Sequence, residues 1–335
     1  MKKLILLILA AATITPAANA QKYDYRSVAQ SVIDTTEKYL YNPAIIQSKE
    51  WAGFKNTFLE QSANAADDTE FRKMFRSAAS ALPFTHFGLI INAPAQSNPA
   101  GGKAQEPGQA KFAISTPGPG TVLFTVRTFA ASAEEIAPYL DSLKAMSFSN
   151  LIIDLRNNYG GTIASALPLA SYLVNDTLLG GAFLTRRYFN SHGELPKAES
   201  YITLPHFSEA SFAKIISGIH NEEGLCLVVY PAEMTYKGRL FILTNKNTAS
   251  TCEPLVYGLK ASGRAVIVGE TTMGAMLNGE QFIINDRFSL FLPTADFYTA
   301  DGKRIDRIGV EPDVKVDPTV ALEKTMEIIN GNNGL

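Results

Sequence analysis

From Thr121 onward, short apolar runs alternate with amphipathic stretches, and this alternation limits the fold more than any other feature. "GTVLFTVRTF" reads as a strand, and "SAEEIAPYLDSLKAM" as a helix with an N-terminal serine and early acids. "SNLIIDLR" reads as a buried strand and "TIASALPLASYLV" as a second helix. The pattern resumes with the strand "GRLFILTN", the helix "EPLVYGLKAS" and the strand "RAVIVGE". Strand and helix in turn imply an α/β core, a largely parallel sheet covered by helices. "EQFIINDRFSLFLPTADFYT" is expected to form a hairpin turning at Asn285-Asp286, and a short helix from about Thr319 to Ile329 follows. Residues 175–237 interrupt the alternation and are expected to be an irregular excursion, such as a lid or specificity region.

Ahead of this core the pattern is helical from Tyr23 to about Ala81, with Val28, Val32, Tyr39 and Leu40 roughly on one face. "NAPAQSNPAGGKAQEPGQAK", rich in Pro, Gly, Ala and Gln, has the composition of a mobile linker. The first residues, "MKKLILLILAAATITPAANA", combine two lysines, an apolar run and Ala18-Asn19-Ala20, the anatomy of a secretory signal. Cleavage after Ala20 and export to the periplasm or beyond are expected. The run from Leu4 to about Ile14 is too short to span a bilayer, and no later stretch approaches the roughly 20 apolar residues required. The expected division is 1–20 signal peptide, 21–91 helical subdomain, 92–117 linker and 118–330 core.

Thirty basic and 32 acidic residues, scattered without blocks, give no sign of nucleic-acid or membrane-surface binding. No Cys/His cluster has metal-ligand spacing, so neither metal nor cofactor is expected. Cys226 and Cys252 could pair in an oxidising compartment or remain free thiols.

Two stretches can carry chemistry. In "TNKNTASTCEPLVYG", Ser250 lies after a strand and before a helix, where free N–H groups stabilise a developing negative charge. Ser250 to Glu253 also spells a capping box. With Ser250 as the cap, however, Pro254 would sit where the helix needs an N–H, so a helix starting nearer Pro254 leaves the serine in the loop. In "LIIDLRNNYGGTIAS", Gly160-Gly161 lets backbone amides approach something closely at a strand's carboxyl end, or simply makes a tight turn. Asp154 and Arg156 are expected to pair with each other or with backbone.

Taken in order, "LIIDLRNNYGG", "LTNKNTASTCEPLVYGLKASGRAVIVGETTMG" and "YTADGKRIDRIGVEPDVKV" resemble the three landmark segments of the carboxyl-terminal processing (tail-specific) protease family. The resemblance spans about Thr121 to Ile329. It implies a ClpP/crotonase-like core with a helical amino-terminal subdomain, Ser250 as nucleophile and Glu253 as its accompanying glutamate. It further implies an oxyanion hole at Gly160, Gly161 and the amide of Thr251. The family lysine that deprotonates the serine is missing, because "VGETTMGAM" puts Ala275 in its place, and a methyl group accepts no proton. Lys246 and Lys260 do not match that motif. A second branch, resembling the tricorn protease core, uses histidine. Here "LPFTHFGLII" offers His86 beside Thr85, and Asp306 takes the acid position before "IGVEPD". A Ser250, His86 and Asp306 triad supplies nucleophile, base and orienting carboxylate for acyl transfer. His192, His206 and His220 are alternative bases, and Asp301 rivals Asp306.

Between His86 and Thr121 lie about 35 residues, fewer than the roughly 50 a domain with its own core needs, so no PDZ domain is expected. Two functions compete: an exported peptidase acting on peptides or proteins, or an inactive relative binding a peptide or lipophilic ligand, as the similar interphotoreceptor retinoid-binding protein does. Oligomeric state is left open.

Overall fold

The computed structural model describes residues 23–92, 109–209 and 211–331. The expected signal peptide, and residues 93–108 of the expected linker, lie outside these. Three helices, α1 (Tyr25–Tyr39), α2 (Lys49–Ser62) and α3 (Asp68–Ala79), are capped by Asp24, Ser48 and Asp67, each accepting a backbone N–H of the first turn. Their apolar faces bury Trp51, Phe54, Phe58, Phe71 and Phe75. The segment then extends into β1 (Gly88–Ile91).

The alternating region follows as β2 (Phe112–Gly118), β3 (Thr121–Val126), α4 (Ala133–Ala145), β4 (Asn150–Asp154) and α5 (Ile163–Leu173). Residues 112–117, assigned to the linker from composition, are therefore strand and pair antiparallel with β3. Ser132 and Glu135 complete a capping box at α4. The expected irregular excursion is regular instead: β5 (Leu178–Thr185), α6 (Arg186–Ser191), β6 (His206–Phe207), α7 (Phe212–Asn221) and β7 (Gly224–Val229). Then come β8 (Arg239–Thr244), α8 (Cys252–Ala261), β9 (Ala265–Gly269), the hairpin β10 (Leu277–Ile283) and β11 (Phe288–Tyr298), β12 (Val314–Lys315) and α9 (Ala321–Ile329).

One sheet runs β12-β9-β8-β4-β3-β2, parallel except for β2. Its central β4 is buried along its whole length, as a strand covered on both faces must be. Helix α9 packs Ala321 and Ile328 against Ile152, Phe241, Leu243 and Val268. Residues of α4, α5 and α8 share the main core with β5, β7 and α7. The second sheet runs β1-β11-β5-β7-β6, with β10 also on β11. Among the described residues no helix is long and apolar enough to cross a membrane.

β1 pairs with β11 from Gly88↔Phe291 to Ile91↔Phe288, so the helical segment is stitched into this second sheet. Phe288 stands at the junction, with Phe71 edge-on at 5.3 Å between ring centroids. Phe288→Ala is expected to destabilise the fold by roughly 3–5 kcal/mol, read from the midpoint of urea unfolding at constant slope.

Candidate active site

The loop after β8 turns sharply before α8, and Ser250 sits in it with φ +56°, in the left-handed region that L side chains seldom adopt. Helix α8 begins at Cys252 with Thr251 as its cap residue, so only half a capping box forms. The Glu253 carboxylate accepts the Ser250 N–H at 3.0 Å, whereas the serine hydroxyl does not cap the helix. Among the described residues that hydroxyl has no hydrogen-bond partner.

Glu253 is fully buried, yet satisfied. Its Oε1 accepts from Thr272 Oγ1 at 2.6 Å and Gly274 N at 2.7 Å, its Oε2 from Ala275 N at 2.8 Å and Ser250 N. Burial pushes its pKa up, and these bonds offset that rise only in part. A proton on the carboxyl would have to displace one of the four donors.

The turn between β4 and α5 faces Ser250. A Cβ on Gly160 would lie 2.7 Å from the Ser250 Cβ, and one on Gly161 would collide with the Phe129–Ala130 backbone, so both positions require glycine. The Gly160 N–H is already given to Asn158 Oδ1 at 2.9 Å. The N–H groups of Gly161 and Thr251 have no protein acceptor among the described residues, and Thr251 Oγ1 binds the Gly161 carbonyl at 2.8 Å. Of the three expected oxyanion donors, two are free. Asn158, buried and holding this turn, carried no signal in the sequence beyond its place before the glycines.

His86 comes from just before β1, also at positive φ, +57°. Its Nδ1 is 2.9 Å from Thr85 Oγ1, which donates to Asp306 Oδ1, and Asp306 Oδ2 accepts the Thr85 N–H at 3.1 Å. The sequence led to the expectation that Asp306 orients the imidazole directly; instead it meets the imidazole through Thr85. Because the threonine gives its proton to the carboxylate, it accepts from Nδ1–H, which leaves Nε2 as the acceptor. Burial lowers the His86 pKa from its usual 6.5, and the Asp306 charge opposes that shift.

Thr85, His86, Gly160, Gly161, Ser250, Thr251 and Ala275 line one cleft of about 2150 Å³. No hydrogen bond joins Ser250 to His86. His192, His206 and His220 pair with Glu223, the Ile202 carbonyl and Glu280, outside the cleft, and Asp301 binds Lys303, Tyr257 and Thr299. Lys260 is bound to Asp313 and the Glu311 carbonyl. Asp154 and Arg156 pair at 2.6 Å, as expected. Cys226 and Cys252 are free and buried, which pushes both thiols up, Cys226 to about 11.

Residues 121–316 match the profile of Peptidase family S41. The chain is 25% identical over 256 residues to a chloroplastic C-terminal processing peptidase of Tetradesmus obliquus, covering 76% of this chain and 45% of that one. It spans less than half the length of the curated relatives it matches. A putative peptidase from Parabacteroides merdae has a similar structure, with a TM-score of 0.62 at 12% identity, covering 93% of this chain and all of that one. The tricorn protease reaches a TM-score of 0.57 at 12% identity, over 92% of this chain and 36% of its own. At such identities the structural likeness establishes the fold alone.

Replacing Glu253 by glutamine puts an NH₂ group where only an acceptor fits, against N–H donors. Glu253→Gln is expected to cost about 3 kcal/mol in urea unfolding, because buried donors lose a charged acceptor.

Proposed function

Peptidase family S41 is the family to which this chain belongs, and on that premise we propose an exported serine-type peptidase of its histidine-using branch, without a PDZ module. Ser250 is the nucleophile, His86 the base and Asp306 the anchor of that base. The observation that carries this reading is the pairing, in one cleft, of an unpartnered serine hydroxyl beside two free N–H groups with a histidine whose tautomer leaves Nε2 able to accept.

In the reaction proposed, Ser250 Oγ attacks the peptide carbonyl carbon and its proton passes to His86 Nε2. The carbonyl oxygen becomes an oxyanion held by the N–H groups of Gly161 and Thr251, and the dipole of α8 adds to that field. His86 then protonates the leaving amine, and water, deprotonated in turn by His86, releases the acyl group. The serine–histidine contact is the one step this requires beyond the resting geometry, and such contacts commonly tighten only around substrate.

An apolar arm of the cleft, with Leu167, Leu178, Phe183, Leu227 and Leu255 in its wall, supports a second reading, a relative that binds a lipophilic ligand without turnover. Native mass spectrometry separates the two: a co-purified apolar ligand that survives Ser250→Ala supports binding, and an empty protein argues against it.

For the peptidase, a fluorophosphonate probe is expected to label wild type, with labelling lost in Ser250→Ala and reduced by about 10³-fold or more in His86→Ala. Absence of labelling together with no hydrolysis of a peptide library would sink the reading. The base acts neutral and burial lowers its pKa, so kcat/KM is expected to hold below pH 6.5 and decline only further into acid.

A further inference from the structure

Behind Asp306 lies a charge cluster, two buried aspartates on a half-buried arginine, that the reaction does not use. Arg304 forms a fork with Asp296, Nε to Oδ2 at 2.9 Å and to Oδ1 at 3.1 Å, and its Nη2 reaches Asp306 Oδ2 at 3.4 Å. The same guanidinium donates to Tyr41 Oη at 2.9 Å and to the Pro83 carbonyl at 3.3 Å, two residues before Thr85. Both aspartates are buried, and Asp296 also accepts from Phe297 N–H and Tyr298 O–H.

We propose that Asp296 and Arg304 are positioning residues that set the basicity of His86 through Asp306 and Thr85. The inference rests on the reading of His86 as the base. Arg304 lies closer to Asp296 than to Asp306, so Asp296 holds the cation and leaves the Asp306 charge to Thr85 and to the Met276 N–H. Because Asp296 and Asp306 are buried, solvent screens their charges poorly, and they act on neighbouring groups over several ångströms. The groups facing Asp296 are Arg304, Asp306, Tyr41, Tyr298 and Tyr201. Those facing His86 are Asp306 and Thr85, with the Phe291 ring 5.8 Å away.

The sign of the coupling follows. Burial raises the Asp296 pKa to about 6, against the pull of Arg304. As pH falls through that value Asp296 becomes neutral, the cluster loses one negative charge, and protonation of His86 becomes harder. The two groups resist binding protons together, which keeps the base free in mild acid.

The test is an NMR titration of the His86 imidazole in the full mature chain, its signal identified by loss in His86→Ala. Asp296→Asn is expected to lower the His86 midpoint, and Arg304→Met, which removes the cation, to raise it. The wild-type curve is expected to carry a second inflection near pH 6, which needs no variant to fold. A single-step wild-type curve with an unmoved midpoint in the variants overturns the proposal, because a merely structural role would leave the titration alone. No catalysis is needed for the readout. A protein inert to the fluorophosphonate, whose midpoint still moves in these directions, upholds the coupling and counts only against the peptidase reading.

Discussion

Glu253 takes a negative charge into the interior and surrounds it with four donors from two segments, Ser250 on one side and Thr272, Gly274 and Ala275 on the other. A buried carboxylate is tolerable only while its hydrogen bonds are kept, so neither segment can drift without stranding the charge. This holds Ser250 in a backbone conformation that the residue alone disfavours. The strain at the serine is local, and the force that opposes it lies in the glutamate.

The next residue along the second segment extends the arrangement to the histidine. Met276 N donates to Asp306 at 3.2 Å, and Asp306 binds Thr85, which meets His86. Two runs of hydrogen bonds, Ser250 amide–Glu253–Ala275 and Met276–Asp306–Thr85–imidazole, are therefore joined by the single peptide bond between Ala275 and Met276. The place where a basic side chain was expected supplies backbone N–H groups instead, and these fix the two halves of the site relative to each other.

The parallel sheet was legible because its strands are nearly continuous apolar runs separated by helices of the right period. Of the second sheet, only the β10–β11 hairpin was. β5, "LLGGAFLT", carries two glycines, and β6 has only two residues; in the first sheet the antiparallel edge strand β2, "FAISTPG", was hidden in the same way by its proline and glycine. None shows clean alternation, and β5 takes one of its partners from β11, more than 100 residues along the chain. At the site, Ser250, Glu253, Gly161, Thr251 and His86 were all legible as candidates. What was not legible was how donors are shared: that Gly160 spends its N–H on Asn158, that Thr85 stands between acid and base, and that Arg304 links two aspartates. Those choices belong to tertiary structure, with Thr85 and Asp306 separated by 221 positions.

The pairing of β1 with β11 has a consequence for the order in which the molecule becomes whole. His86 enters the cleft on the lead-in to β1, so its imidazole is delivered only when the helical segment docks and that strand zips onto β11, about 200 residues later in the chain. Closing so long a loop is slow compared with local helix and hairpin formation. A growing or partly folded chain holds its serine loop and its histidine on separate, unjoined pieces, so the cleft that carries both is among the last features of the fold to be completed.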